Sequence, residues 1–295
     1  MASLKEIKGR IGSVKSTRKI TSAMKMIASA KLRKAQTAIT NFLPYQQKLD
    51  AILTRLLSSD TTLDLPFTEQ REVKRIAIVV FSSNSSLCGA FNSNIIKEFA
   101  QVYKANASTL GKENILVYPV GKKITDAVKK LGVKPEGDYT SMADIPTYEA
   151  VQELAKELNA RFVNKEVDEI RAIYYHFKST GTQVLTNTVY LPFALGATED
   201  DSAKSSNANT DYILEPSKDV IISTLVPVVL YSRMFAALLD SAASEHAARM
   251  MAMQTATDNA DELIGDLTIV YNKTRQQAVT NELLDIIGGA SALNG

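Results

Sequence analysis

The feature that most constrains this chain is the near absence of helix breakers towards both of its ends. Residues 13 to 65 hold no glycine and one proline, Pro44, while residues 197 to 287 hold one glycine, Gly265, and two prolines, Pro216 and Pro227. Glycine and proline are the residues that most penalise a helix interior, so stretches this poor in them can carry very long helices. Leu4, Ile7, Ile11 and Val14 step by three and four, and so do Met253, Ala256, Ala260, Leu263, Leu267 and Val270. That period is the signature of a coiled-coil seam. Beyond Val14 the heptad meets Arg18 and Lys25, and the apolar stripe is expected to move to Ile20, Met24 and Ile27 as a stutter. Neither stretch has the apolar width of a core helix, so each is expected to cover the other, as a shaft on a globular base.

Charge is divided as unevenly as the breakers. Residues 1 to 57 carry twelve Lys or Arg against two acids, Glu6 and Asp50, for a charge of +10, and the rest of the chain sums to −8. Residues 235 to 287 hold eight acids and three bases. Opposite signs favour pairing of the two helices. Even so, Lys8, Arg10, Lys15, Arg18, Lys19, Lys25, Lys31, Arg33 and Lys34 exceed what one partner helix can neutralise, so some face solvent, an acidic protein surface or nucleic acid.

The chain is 45% hydrophobic and 22% charged over 295 residues, a globular composition with room for one core domain plus extensions. No uninterrupted apolar run reaches the length of a spanning helix, and the strongest, residues 221 to 230, is cut by Pro227. The N-terminus lacks an apolar segment of the kind a secretory signal needs and enters the heptad pattern by Leu4. Cys88 is the one cysteine, which excludes an internal disulfide and a cysteine metal cluster and fits a reducing, cytoplasmic setting.

Between the ends, strand and helix signals alternate. Strands are expected at 75–81, 115–120, 169–178 and 183–191, the last two joined as a hairpin at residues 179–182, with helices at 89–105, 122–131 and 147–166. Parallel βαβ units finished by an antiparallel edge give a Rossmann-like, doubly wound α/β domain inserted between the two coiled-coil helices. The bounds read as an N-terminal helix over 1–58, an α/β base over 72–195, a polar loop over 196–216 and a C-terminal helix over 217–288. A doubly wound sheet invites a nucleotide enzyme, yet no G-x-G-x-x-G or G-x-x-x-x-G-K-[ST] is present. The turn after the first strand, residues 82 to 90, offers only backbone amides to an anion. His176 and His246 have no partnered nucleophile or ligand set, and Cys88 has no base placed beside it. No catalytic, cofactor or metal residues are assigned.

Three segments carry a family resemblance. Residues 20–28 (ITSAMKMIA) with 31–35 (KLRKA), residues 244–253 (SEHAARMMAM) with 256–260 (ATDNA), and residues 271–276 (YNKTRQ) with 280–282 (TNE) and Gly289-Ala290 resemble the gamma subunit of F-type ATP synthases. Leu87-Cys88-Gly89, Tyr212 and Glu215-Pro216 are also similar, so the likeness spans the chain. Asn84-Ser85-Ser86 departs from the Asp-Arg-Gly common in that family.

The resemblance implies a central rotor stalk, peripheral on the cytoplasmic face of a bacterial inner membrane. Its partners would be the alpha and beta subunits, an epsilon subunit and the membrane rotor ring. No nucleic acid or small-molecule substrate is implied. The same resemblance places Met24 and Arg249 near acidic beta-subunit loops and Arg275 and Gln276 near loops higher up. Lys25, Lys31, Arg33 and Lys34 are added on charge. Leu283, Leu284, Ile286 and Ile287 surround the tip of the last helix with apolar surface, which an apolar sleeve of alpha and beta subunits would cover. Two readings from other classes stand beside this one: a nucleic-acid-binding coiled coil, and a nucleotide-dependent enzyme.

Overall fold

A computed structural model describes residues 3–58, 66–193, 214–215 and 217–293. In order, its elements are α1 (Leu4–Ser58), β1 (Ile76–Phe81), α2 (Phe91–Leu110), β2 (Ile115–Val120), α3 (Lys122–Lys130), α4 (Thr140–Asp144), α5 (Tyr148–Val163), β3 (Glu169–Ser179), β4 (Thr182–Leu191) and α6 (Lys218–Leu293). A 3-10 turn, Lys112–Asn114, leads into β2. Apart from Leu214 and Glu215, the polar loop expected over 196–216 lies outside the described residues, as does Tyr212. The chain divides into two compact units, Met1–Ser29 with Arg249–Gly295, and Ala30–Ala248. Both long helices contribute to each unit.

The larger unit is built on a four-stranded sheet of order β2-β1-β3-β4. β1 pairs parallel with β2 and β3, and β3 pairs antiparallel with β4. Every residue of β1 is buried, as expected of a strand covered on both faces. On one face, Ile76, Ile78 and Val80 pack with Phe91, Ile95 and Phe99 of α2 and Ile124 and Val128 of α3. On the other, Ala77, Val79 and Phe81 pack with Leu154, Leu158 and Phe162 of α5, with Leu53, Leu56 and Leu57 of α1, and with α6 from Ile222 to Leu238. Period-two side chains thus feed two separate cores.

This second face corrects the expectation that neither terminal stretch is wide enough to be a core helix. Ile222, Val226, Val229, Leu230, Met234, Ala237, Leu238, Ala243 and Ala247 are all buried. An 18-residue window of α6 even reaches a mean hydropathy of 1.8 with no more than two charged residues, the composition of a spanning segment. Absence of an uninterrupted apolar run therefore understated how apolar this helix is. Packing of Ile222, Val226, Val229, Leu230, Met234, Ala237 and Leu238 in the sheet core buries part of this apolar stretch, and 39% of the window is buried.

Polar contacts tie the same elements together. Arg233 donates to Asp50 Oδ1 from Nη2 at 3.0 Å and Nε at 3.2 Å, linking α6 to α1, and lies 4.5 Å from the centre of the Phe193 ring. Phe42 and Phe235 meet edge to face at 5.0 Å. His176 Nδ1 lies 2.6 Å from Asp240 Oδ2, joining β3 to α6. Below the sheet, Tyr118 and Tyr139 donate to the two oxygens of Glu157 at 3.0 and 3.2 Å. Burial first, and then the Glu157 charge, pushes the Tyr139 hydroxyl up to about 12 and that of Tyr118 higher still.

Replacing Arg233 with Met leaves the Asp50 carboxylate, whose side chain is 14% exposed, without its guanidinium. A loss of about 2 kcal/mol is expected, below the full cost of breaking a buried pair because Arg233 itself reaches solvent. Chemical denaturation reads it, and Arg233→Met combined with Asp50→Asn should recover part of the loss.

Candidate functional site

In the smaller unit, α1 and α6 pack side by side through residues that are small or polar. Ile7, Thr21 and Ala28 of α1 and Met253 and Ala260 of α6 are buried. Thr21 and Thr257 bring their hydroxyls within 2.8 Å, and each hydroxyl also meets a carbonyl of its own helix, Arg18 O at 3.1 Å and Met253 O at 2.8 Å. One turn away, Arg18 Nε lies 2.5 Å from Asp261 Oδ1. These two crossings fix an antiparallel register that brings Val14 level with Ile264 and Ile7 level with Tyr271.

Both seam readings need correction. On α1 the heptad does not shift to Ile20, Met24 and Ile27: Ile20 and Ile27 are 60% and 59% exposed, and the repeat continues through Thr21 and Ala28. A threonine can hold a seam position because its hydroxyl finds a partner across the interface. On α6, Met253, Ala256, Ala260 and Leu267 of the expected stripe are buried or half-buried, but Leu263 and Val270 are exposed and Ile264 and Tyr271, each one residue further on, are half-buried in their place. Counting apolar residues alone missed the threonine positions.

The candidate contact residues do not form one cluster. In the smaller unit, Met24, Lys25 and Arg249 are half-buried, and Arg275 and Gln276 are exposed. Arg275 lies about 26 residues beyond Arg249 on the same helix, roughly 40 Å at 1.5 Å per residue. Lys31, Arg33 and Lys34, in the larger unit, are exposed. Among the described residues, no ion pair forms within the chain at Lys25, Lys31, Arg33, Lys34 or Arg275. Past the level of Leu4, α6 continues for about nineteen residues, roughly 28 Å. There Leu283, Leu284, Ile286 and Ile287 are 54%, 60%, 67% and 61% exposed.

The first strand-to-helix turn of the larger unit is bound to itself. Ser83 Oγ donates to Ser85 O at 2.6 Å, and Asn92 Nδ2 donates to Ser83 Oγ at 2.8 Å and to Cys88 Sγ at 3.1 Å. Cys88 is buried. Asn84 reaches outward: its Oδ1 accepts the Lys122 backbone N–H at the start of α3 at 2.8 Å, and its Nδ2 donates to Thr140 O at 2.8 Å. One side chain thus satisfies an orphan amide at the start of α3 and ties the turn to the first residue of α4. Leu87, at φ 68°, carries a left-handed backbone that a non-glycine residue seldom adopts, and its side chain is 59% exposed. Two open clefts, of about 400 and 300 Å³, lie beside α2 and β4 and beside α4 and α5.

A family model described as ATP synthase matches residues 3–293. The ATP synthase gamma chain of Phocaeicola vulgatus is 57% identical over 292 residues, covering 99% of this chain and all of the relative, and that of Bacteroides fragilis is 59% identical over the same length. The chain belongs to the ATP synthase gamma chain family. More distant members include the gamma chain of Flavobacterium johnsoniae, 45% identical over the whole of both chains. Among solved structures, a chain of the Euglena gracilis mitochondrial ATP synthase, OSCP/F1/c-ring in rotational state 3, aligns with a TM-score of 0.64 at 18% identity, over 98% of this chain and 94% of that one. A chain of the Tetrahymena thermophila mitochondrial ATP synthase central stalk and c-ring aligns with a TM-score of 0.56 at 22% identity, over 80% and 99%. At these identities the structures speak for the fold.

The bridge made by Asn84 could not be read from the sequence, because both of its partners are distant along the chain. Its only signal was the departure of residues 84–86 from the common family pattern. Asn84→Ala should lower stability by about 1–2 kcal/mol through loss of the α3 cap and of a donor to Thr140 O. Asn84→Asp keeps the acceptor at the helix N-terminus and loses only the donor, so a smaller loss is expected. Across the helix pair, Thr21→Val and Thr257→Val should each cost about 1 kcal/mol and together less than the sum, a coupling that thermal unfolding of the four proteins in a double-mutant cycle measures.

Proposed function

We propose that this chain is the central rotor stalk of an ATP synthase and carries torque between a membrane ion-driven ring and a catalytic head of alpha and beta subunits. The observation that carries the reading is the end of α6. A helix that outruns its partner and presents Leu283, Leu284, Ile286 and Ile287 around its circumference exposes apolar surface that an isolated helix in water disfavours. An apolar sleeve of alpha and beta subunits accounts for that surface and offers few directional bonds to resist turning.

Torque needs handles as well as a bearing. Lys25, Lys31, Arg33, Lys34 and Arg275, which form no ion pair among the described residues, suit acidic loops on the head, and Met24, Arg249 and Gln276 complete the proposed contacts. An asymmetric helix pair presses differently on each of three otherwise identical catalytic subunits, so its angle biases their open and closed states. Ion flow then drives synthesis, and hydrolysis drives the reverse. In this reading the chain makes no bonds itself and leaves catalysis to the head. An epsilon subunit and the membrane ring complete the partners, with the assembly on the cytoplasmic face of the bacterial inner membrane.

The reading is tested by isolating the chain from its native membranes under mild conditions. One copy with three each of two larger nucleotide-binding subunits, and ATPase activity, is expected; a free chain, or one carrying nucleic acid, would overturn it. In the assembled complex, Arg275→Ala with Gln276→Ala should weaken ATP-driven ion pumping while the isolated variant unfolds at the wild-type temperature. Unchanged pumping would remove these residues from the coupling path.

A further inference from the structure

Five of the eight methionines stand at one height of the helix pair in the smaller unit, Met24 and Met26 on α1 and Met250, Met251 and Met253 on α6. The register fixed by Thr21 with Thr257 and by Arg18 with Asp261 sets Met26 level with Ala252, so all five fall within about one turn of that level. Their surroundings divide them. Met253 belongs to the seam and is 5% exposed, and Met24 and Met250 are half-buried. Met26 and Met251 lie on the outer sides of their helices, 64% and 45% exposed. In the larger unit, Met142 and Met234 are buried.

Exposure decides what such a sulfur can do. A thioether needs no deprotonation to act as a two-electron donor, so access governs its reaction with a peroxide. The sulfur lone pair takes one oxygen of hydrogen peroxide, the O–O bond breaks, and the other oxygen leaves as water once a proton has moved to it. Sulfur is oxidised by two electrons and the peroxide is reduced. Two thiols run the change backwards, removing the oxygen as water and becoming a disulfide. The one thiol of this chain does not compete for the oxidant, because Cys88 is buried. Among the described residues, Met26 and Met251 are therefore the open sulfurs.

We propose that Met26 and Met251 form a reversible oxidation site on this helix pair, with a peroxide as oxidant and thiols as the restoring reductant. Neither side chain holds the seam, which runs through Thr21, Ala28, Met253 and Ala260. The pair therefore stays closed when the two are oxidised, and what changes is its outer surface. Each sulfoxide sets a polar acceptor on a face where Ile27, beside Met26, is 59% exposed. The modification itself is independent of the rotor reading. Its consequence for coupling rests on that reading, because the changed surface is the one a surrounding head would meet.

The test treats the folded full-length chain with hydrogen peroxide and follows sulfoxide at each methionine by peptide mass spectrometry. Met26 and Met251 are expected to react at least about tenfold faster than Met142, Met234 and Met253, because susceptibility follows exposure. Methionine sulfoxide reductases supplied with a dithiol should restore both, and the helical circular dichroism and unfolding temperature should stay at their untreated values throughout. Similar rates at all five positions, loss of helix before Met26 and Met251 are consumed, or failure of the reductases would each overturn the proposal. For the consequence, the oxidised chain is assembled with untreated alpha and beta subunits and its ATPase turnover is expected to fall. Met26→Leu with Met251→Leu, which keeps the side-chain volume, should be insensitive to the same treatment. Equal losses in variant and wild type, or no loss in the wild type, would overturn the consequence. If the rotor reading fails, no such complex assembles, while the peptide pattern still reports on the site.

Discussion

The larger unit depends on the covering of one sheet face. A strand such as β1, apolar at every position, cannot be half solvated, and α2 and α3 cover only the side that carries Ile76, Ile78 and Val80. Ala77, Val79 and Phe81 are covered by α5 together with stretches of α1 and α6 that lie far away in sequence. Closing this core therefore brings residues near 53 and near 230 together. Burying each large apolar side chain there contributes about 1.5–3 kcal/mol, which is ample to offset the entropy of holding so distant a pair of segments. The Arg233–Asp50 pair adds direction to that contact more than strength.

In the smaller unit the same two helices meet with a different chemistry. Their seam has little apolar volume: Ala28 and Ala260 are small, and Thr21 faces Thr257. Small residues let the backbones approach, while the hydroxyl pair and the Arg18–Asp261 crossing specify which residues face each other. A seam of this kind specifies register without a thick core. It leaves large apolar residues such as Ile20, Met26, Ile27 and Ile269 on the outside, uncovered by the paired helix.

Much of the architecture was legible from the chain. The strand at 115–120 and the parallel-then-antiparallel order follow from short β-branched runs separated by helical periods, and the scarcity of glycine and proline announced both long helices. What failed, failed for identifiable reasons. The stutter at Ile20, Met24 and Ile27 assumed that a seam must be apolar, and Thr21 occupies it because a second threonine faces it. The expected narrowness of the C-terminal helix averaged over a stretch whose first part is core and whose later part is not, so Ile222 to Leu238 were not recognised as sheet-facing. The short helix α4 carries no periodicity in its five residues and had no signal to read.

By itself, the sequence determined the strands and every helix but the short α4, the imbalance of charge between the two chain ends, and the family to which the chain belongs. Each is a property of local composition and spacing, and survives without knowledge of what touches what. Only the tertiary structure decided which side chains satisfy one another: Asn84 between Lys122 and Thr140, Thr21 with Thr257, Asp50 with Arg233. The physical reason is that a hydrogen bond or ion pair depends on distance across the fold, and residues some 40, 180 or 240 positions apart carry no local mark of being partners.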